Sequence, residues 1–217
     1  MGWIIGVDEV GRGSLAGDVY AAGVLVEKPT TGQYPVIGVR DSKILTAEHR
    51  QKLHDQIIRS TLCGTAFAFK SSAFIDLRGI VPAVGECFRE CILTLLKQAE
   101  DEDKPVDAVF VDGNPLWGPK FLTGHEESNV VFMQHGDRKE WVIGAASIIA
   151  KVRRDHKMLR LAASHPGYGW ERNMGYGTEE HIAAIKGLGF TPLHRRSFCR
   201  NILDDSDSVF DMFGGTP

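Results

Sequence analysis

No stretch of this chain approaches the roughly 20 consecutive apolar residues that a membrane-spanning helix needs, so no transmembrane role is expected. The N-terminus has no basic region followed by a long apolar run, so no signal peptide is read there. Internal repeats and low-complexity segments are also missing, which excludes solenoids and arrays. Cysteine is scarce. Cys63, Cys87, Cys91 and Cys199 form no CxxC pair and no zinc-like spacing. Cys87 and Cys91 would share a helical face, and reduced structural thiols in a cytoplasmic protein are the expected reading. Basic residues are absent from Asn201 onward, whereas Asp204, Asp205, Asp207 and Asp211 all fall there. The net charge of -3 owes its sign to that tail: without it, 25 basic residues face 24 acidic ones. Global charge therefore decides nothing about partners, and local patches such as Lys151-Val152-Arg153-Arg154 and His194-Arg195-Arg196 carry that question.

What is present begins at the N-terminus. Trp3, Ile4, Ile5 and Val7 read as a buried strand, and Asp8 and Glu9 follow at once. Paired acids at the end of a buried strand are costly unless cations or hydrogen bonds compensate them. Oxygen-only ligands of this kind suit Mg²⁺ or Mn²⁺ rather than Zn²⁺. Gly11-Arg12-Gly13 comes next, where glycine lets the backbone approach a ligand closely and arginine offers a fork of donors to phosphate.

Further along, Val19–Val26 reads as a second strand, antiparallel to the first, and Thr46 as the N-cap of a helix running to about Thr61. Thr65–Phe69 resembles a third strand. Pro82 opens a long helix that ends near the acidic run Glu100 to Asp103. Strands are expected at Val106–Val111 and Asn129–Met133, a long helix at Trp141–Ala163, a loop at His165–Gly177 and a helix from Thr178 to about Leu188. Acids recur where strands end: Asp8, Glu9, Asp112 and Asp137. If these strands are neighbours in an α/β sheet, four carboxylates converge, and divalent cations would relieve their repulsion. Two metals about 4 Å apart are the usual arrangement for in-line phosphodiester chemistry.

As an ordered set, Asp8-Glu9-Val10-Gly11-Arg12-Gly13, Asp41-Ser42-Lys43, Val111-Asp112-Gly113-Asn114, Gly136-Asp137, Ala145–Val152, Gly175-Tyr176 and His194–Phe198 resemble the ribonuclease HII family. The resemblance spans about residues 3 to 198 by inspection. It implies a ribonuclease H-like mixed α/β sheet flanked by helices, with a small helical C-terminal extension. The implied division is a catalytic core over 1–164 and the extension over 165–200, while the composition of residues 201–217 reads as an acidic disordered tail. The family cuts the RNA strand of RNA–DNA hybrids and single ribonucleotides in duplex DNA with Mg²⁺ or Mn²⁺. By resemblance, Asp8, Glu9, Asp112 and Asp137 are the catalytic acids and hold two metals. Gly11, Arg12 and Gly13 read the ribose 2′-hydroxyl, Tyr176 packs on the sugar beside the cut, and Lys43 and Arg196 contact backbone phosphates. Gly-Arg-Gly, where the related ribonuclease HIII has Gly-Thr-Gly, favours type HII.

The chain departs from the family at Ser14 and Asp18, where many members have prolines, and at His135, where lysine is common. The stretch between Asp112 and Asp137 is longer than in many bacterial members. Lys151–Arg154 reads equally as a phosphate patch or as the exposed face of the long helix, and Asp155 as a salt-bridge or helix-packing residue. Without the motif, Tyr176 would read as a loop tyrosine covering a helix end. Two rival functions are weighed. An actin-like ATP-dependent kinase would need two lobes, and a non-catalytic nucleic-acid-binding module would gain nothing from four acids. A monomer is expected. In the tail, Val209–Phe213 places apolar side chains around one acid. It loosely resembles peptides that bind replicative sliding clamps, with docking back on the body and plain disorder as alternatives.

Overall fold

A computed structural model describes residues 2–30, 32–39, 42, 44–114 and 129–202. Lys43, the long segment after Asn114 and the tail motif Val209–Phe213 lie outside them. Five strands, β1 (Trp3–Val10), β2 (Val19–Glu27), β3 (Cys63–Lys70), β4 (Val106–Asp112) and β5 (Val130–Met133), form one sheet in the order β3-β2-β1-β4-β5. β1 pairs antiparallel with β2 and parallel with β4; β2 and β3 are antiparallel, and β4 and β5 parallel. The helices are α1 (Ala47–Arg59), α2 (Ser72–Arg78), α3 (Ile80–Asp101), α4 (Trp141–Ser164), α5 (Trp170–Asn173) and α6 (Glu179–Leu188). The expected mixed sheet flanked by helices is what forms. None of the described helices is long and apolar enough to cross a membrane.

β1 is the central strand, and its side chains alternate between two helical layers. Ile5 and Val7 pack with Phe88, Ile92 and Leu95 of α3, while Ile4 packs with Ile143, Ile148 and Ile149 of α4. Both faces of β1 and β2 are therefore covered, which accounts for their near-continuous apolar sequence. The same alternation places Asp8 on the α4 side with Ile4 and Gly6. On β4, Val109 and Val111 join the α3 cluster, whereas Ala108 and Phe110 pack on the α4 side. Asp112 follows them, one residue beyond the last β1–β4 pair, Val7–Val111. Two carboxylates thus reach the same face at the carboxyl ends of adjacent strands.

Several boundaries shift from the sequence expectation. Thr46 caps α1 as expected, accepting a hydrogen bond from the His49 N–H at 3.2 Å. α3 starts at Ile80 rather than Pro82, which leaves the proline in the first turn, where its missing N–H costs nothing. α2 and α5 have no counterpart in the sequence expectation; both are short and carry too little periodicity to stand out. The segment after α4 builds a third apolar cluster, in which Trp170 and Ile185 pack on Met158 and Ala16.

Gly6 sets the distance between β1 and α4. A Cβ at this position would lie 2.6 Å from the Val142 carbonyl carbon and 2.8 Å from the Ile143 nitrogen, so backbone meets backbone there. Gly6→Ala should therefore push α4 off the strand and cost about 1–3 kcal/mol in urea unfolding. Stability unchanged from wild type would show that the helix does not depend on this approach.

Candidate active site

Asp8, Glu9 and Asp112 line one cavity of about 410 Å³, together with Ser42, Ser147, Lys151 and Tyr176. Asp8 is only 5% exposed. Burial raises its carboxyl well above the ordinary aspartate range, and the charges of Glu9 and Asp112 push in the same direction. Two donors oppose this: the Ser147 hydroxyl and the Glu9 N–H, the latter 2.7 Å from Oδ1. Ser147 Oγ lies 2.9 Å from Ser42 Oγ. The Ser42 carbonyl in turn accepts from Arg50 Nε at 2.9 Å. A relay of hydroxyls thus ties Asp8 through α4 to the segment before α1.

The fourth acid is placed differently. Asp137 is 5% exposed within the 3₁₀ turn Gly136–Arg138, and it does not line the cavity. Its neighbour Gly136 donates its N–H to Asp112 Oδ1 at 2.7 Å, so the turn after β5 braces the acid at the end of β4. Among the described residues, no three His, Cys, Asp or Glu side chains are grouped closely enough to hold a metal ion in this arrangement. The donor set nevertheless fits a hard divalent cation: all its atoms are oxygens, and the charges of Glu9 and Asp112 crowd Asp8.

The glycine loop is built from beneath by two arginines with no accessible surface. Arg154 donates to the carbonyls of Asp18, Met174 and Ala16 and, at 2.8 Å, to Ser14 Oγ. Arg195 donates to the carbonyls of Gly17 and Arg12, both at 2.9 Å. Burial lowers the pKa of both guanidinium groups, that of Arg195 to about 9 with a further contribution from Arg154. Gly11 has φ 84°, and a Cβ there would lie 2.1 Å from Arg154 Nε. Gly13 is different, since a Cβ there would meet nothing within 4 Å. Arg12 and Gly13 are exposed. Ser14 supplies through its hydroxyl the acceptor for Arg154 Nη2.

The basic run Lys151–Arg154 divides among three different surroundings. Lys151 lines the cavity and pairs with Asp155 at 2.8 Å, Arg153 stacks on Phe67 at 3.8 Å, and Arg154 is interior. Asp155 also meets Arg50 at 3.6 Å, in keeping with the salt-bridge reading. Tyr176 is half-buried, with the Arg154 guanidinium 5.4 Å from its ring centre. Arg196 is exposed and away from the cavity lining; its N–H donates to Asp76, and its guanidinium lies 5.1 Å from the Phe190 ring centre. Sequence reasoning missed Ser42, Ser147, Arg50, Arg154 and Arg195 as supports. Ser42, Ser147 and Arg195 lie within the motifs that carry the resemblance, and Ser147 also interrupts the apolar run Ala145–Ala150.

The profile of the family described as Ribonuclease HII matches residues 5–201. A Ribonuclease HII of Thermosynechococcus vestitus is 42% identical over 200 residues, covering 92% of this chain and 85% of its own. Among solved structures, ribonuclease H2 from Pyrococcus horikoshii OT3 is similar with a TM-score of 0.72 and 25% identity, over 94% of this chain and 98% of that one. The ribonuclease HII of Archaeoglobus fulgidus, solved in complex with PCNA, gives a TM-score of 0.71 at 24% identity, over 98% of each chain. Bst-RNase HIII, solved in complex with Mn²⁺, gives 0.66 at 18% identity, over 95% of this chain and 71% of that one. The last two likenesses show the fold alone.

The raised pKa of Asp8 has a consequence for stability. A carboxyl whose folded pKa exceeds its unfolded value near 3.8 stabilises the fold only while protonated, and that contribution is lost as pH rises through the folded pKa. In EDTA at neutral pH, Asp8→Asn should therefore be more stable than wild type, with the difference shrinking as pH falls toward 3.8. Urea unfolding across that range checks it; a variant less stable than wild type at neutral pH would contradict the electrostatic assignment.

Proposed function

Because the chain belongs to the ribonuclease HII family, and is on that footing a ribonuclease H endonuclease, we propose that it hydrolyses the RNA strand of RNA–DNA hybrids and cuts 5′ of single ribonucleotides in duplex DNA. The products are a 3′-hydroxyl and a 5′-phosphate. The observation that carries this reading is one cavity where Asp8, Glu9 and Asp112 face Tyr176. A non-catalytic binding module would gain nothing from three carboxylates crowded there, since nucleic acid is itself anionic.

Asp8, Glu9, Asp112 and Asp137 are the residues that would hold Mg²⁺ or Mn²⁺. Two such ions, when bound, supply water activation and stabilisation of the leaving oxygen in phosphodiester hydrolysis. Everything else falls to the chain. Ser147 and the Glu9 N–H hold the Asp8 carboxylate in one orientation. Gly136 does the same for Asp112. Gly11, Arg12 and Gly13 present backbone groups to the ribose 2′-hydroxyl, the atom that distinguishes RNA from DNA. The open space at Gly13 supports this, because the protein's own packing does not require a glycine there. Tyr176 packs on the neighbouring sugar, and Lys43 and Arg196 contact phosphates. In this reading residues 1–164 form the catalytic core and 165–200 the extension that helps hold the duplex.

The test uses an end-labelled DNA duplex carrying one ribonucleotide, incubated with Mg²⁺ and then with Mn²⁺. Asp112→Asn should keep the fold and lose orders of magnitude in rate. Wild-type rate in that variant, or products ending in 3′- or cyclic phosphate, would sink the mechanism.

Val209–Phe213 is proposed to dock on a replicative sliding clamp, which would concentrate the enzyme where ribonucleotides enter new DNA. The ribonuclease HII of Archaeoglobus fulgidus, whose fold this chain shares, is itself solved in complex with PCNA. The full chain should bind a cognate clamp, and a chain ending at Leu203 should not; equal binding by both would retire it.

A further inference from the structure

Behind Tyr176 lies a buried group that the chemistry above does not use: Trp170, His181 and His194, with exposures of 0%, 0% and 2%. Their protonation follows from their neighbours. His181 Nδ1 is 2.9 Å from the Tyr176 carbonyl, which can only accept, so Nδ1 carries the proton. His181 Nε2 is then bare and accepts from Trp170 Nε1 at 2.9 Å. His194 Nε2 lies 3.2 Å from the same atom and must be a second donor to it. His194 Nδ1 is left to accept, and the Thr191 N–H meets it at 2.9 Å. Every ring nitrogen is committed to one role. A proton added to either ring would set N–H against N–H. Burial lowers both pKa values, that of His194 to about 4 with help from His181, so both rings stay neutral at ordinary pH.

The two histidines belong to two different segments, and a third segment runs between these. Ser14 bridges to Tyr176 on one side, and Ala16 bridges to His194 on the other. Leu15 donates its N–H to the Gly175 carbonyl at 2.8 Å, while its carbonyl accepts from the Arg195 N–H at 2.7 Å. The short ribbon that continues the glycine loop is therefore gripped from both flanks. His181 and His194 join those flanks behind it.

We infer that the Trp170–His181–His194 relay is a positioning device that fixes Tyr176 relative to the Gly11–Gly13 loop and so sets the preference for a single ribonucleotide in DNA. This rests on the proposed sugar-packing role of Tyr176. None of the three side chains touches substrate. The relay acts through the Tyr176 carbonyl and through the His194–Ala16 bridge, and it holds the tyrosine ring at the cavity that contains the acids. A long hybrid offers ribose at every position of its RNA strand and makes less demand on this spacing than a lone ribonucleotide beside deoxyribose.

The experiment compares kcat/KM on a duplex with one ribonucleotide and on a long RNA–DNA hybrid, for the full chain. His181→Phe removes all three bonds of the central ring. It should lower cleavage at the single ribonucleotide relative to the hybrid by about tenfold or more, the scale on which small misplacements act. His181→Asn keeps a donor for the Tyr176 carbonyl and should recover most of the preference. In a Tyr176→Ala background, His181→Phe should add no further selective loss. Equal losses on both substrates, or effects that multiply with Tyr176→Ala, would overturn the relay's role. Where His181→Phe fails to fold, Trp170→Phe takes its place, with a smaller loss in the same direction expected and an even loss on both substrates overturning. If Tyr176→Ala alone shows no selectivity, the sugar-packing reading falls and this inference with it. If Tyr176→Ala discriminates and His181→Phe does not, the relay alone falls.

Discussion

A carboxylate almost removed from water at the end of the central strand, beside two others, is the constraint on which the rest of this structure depends. Burying an uncompensated charge costs several kcal/mol even after relaxation, and Asp8 has Glu9 and Asp112 as near neighbours. The fold meets that cost partly with donors, from Ser147 on α4 and the Glu9 N–H, and leaves the remainder. What remains is an electrostatic demand for cations, and the proposed chemistry would use it. An arrangement that relaxed the crowding would be more stable and less reactive.

Meeting that constraint requires α4 to lie directly on β1. Gly6 permits the approach, two residues before Asp8 on the same face. α4 then serves both ends of the site. Near its start Ser147 reaches Asp8, and farther along Arg154 runs under the glycine loop and holds four acceptors, three between Ser14 and Asp18 and one, the Met174 carbonyl, beside Tyr176. One helix thus registers the acids against the loop proposed to read the ribose. Arg195 adds a second support from the C-terminal segment, through the Arg12 carbonyl. The hydrogen bonds these arginines make go to backbone carbonyls and one hydroxyl. That choice fixes loop geometry and leaves their charges beneath a surface proposed to meet phosphate.

The C-terminal segment is tied in by a different kind of interaction. Trp170, His181 and His194 form an uncharged network in which each ring nitrogen has one permitted role. Such a network is rigid because any rotation leaves a buried donor or acceptor unpaired. Tyr176 gains its position from this network, and the ribbon Ser14–Ala16 gains its flanks.

The sequence by itself determined the elements and the kind of chemistry. The short β-branched apolar runs of β1 and β2, the Thr46 cap and the helical spacing in α3 and α4 are local signals, legible because each depends on residues only a few positions apart. The acids Asp8, Glu9 and Asp112 were legible as strand-end carboxylates, and the ordered motifs named the family. Tertiary structure alone decided which strands adjoin. Through that it brought Asp8 next to Asp112 and left Asp137 buried in a turn outside the cavity. It also decided the fate of the arginines: in sequence, Arg153, Arg154, Arg195 and Arg196 are alike, yet two are interior and two reach the surface. A charged side chain goes inside only where several backbone carbonyls from distant segments meet around it, and no window of sequence contains that convergence.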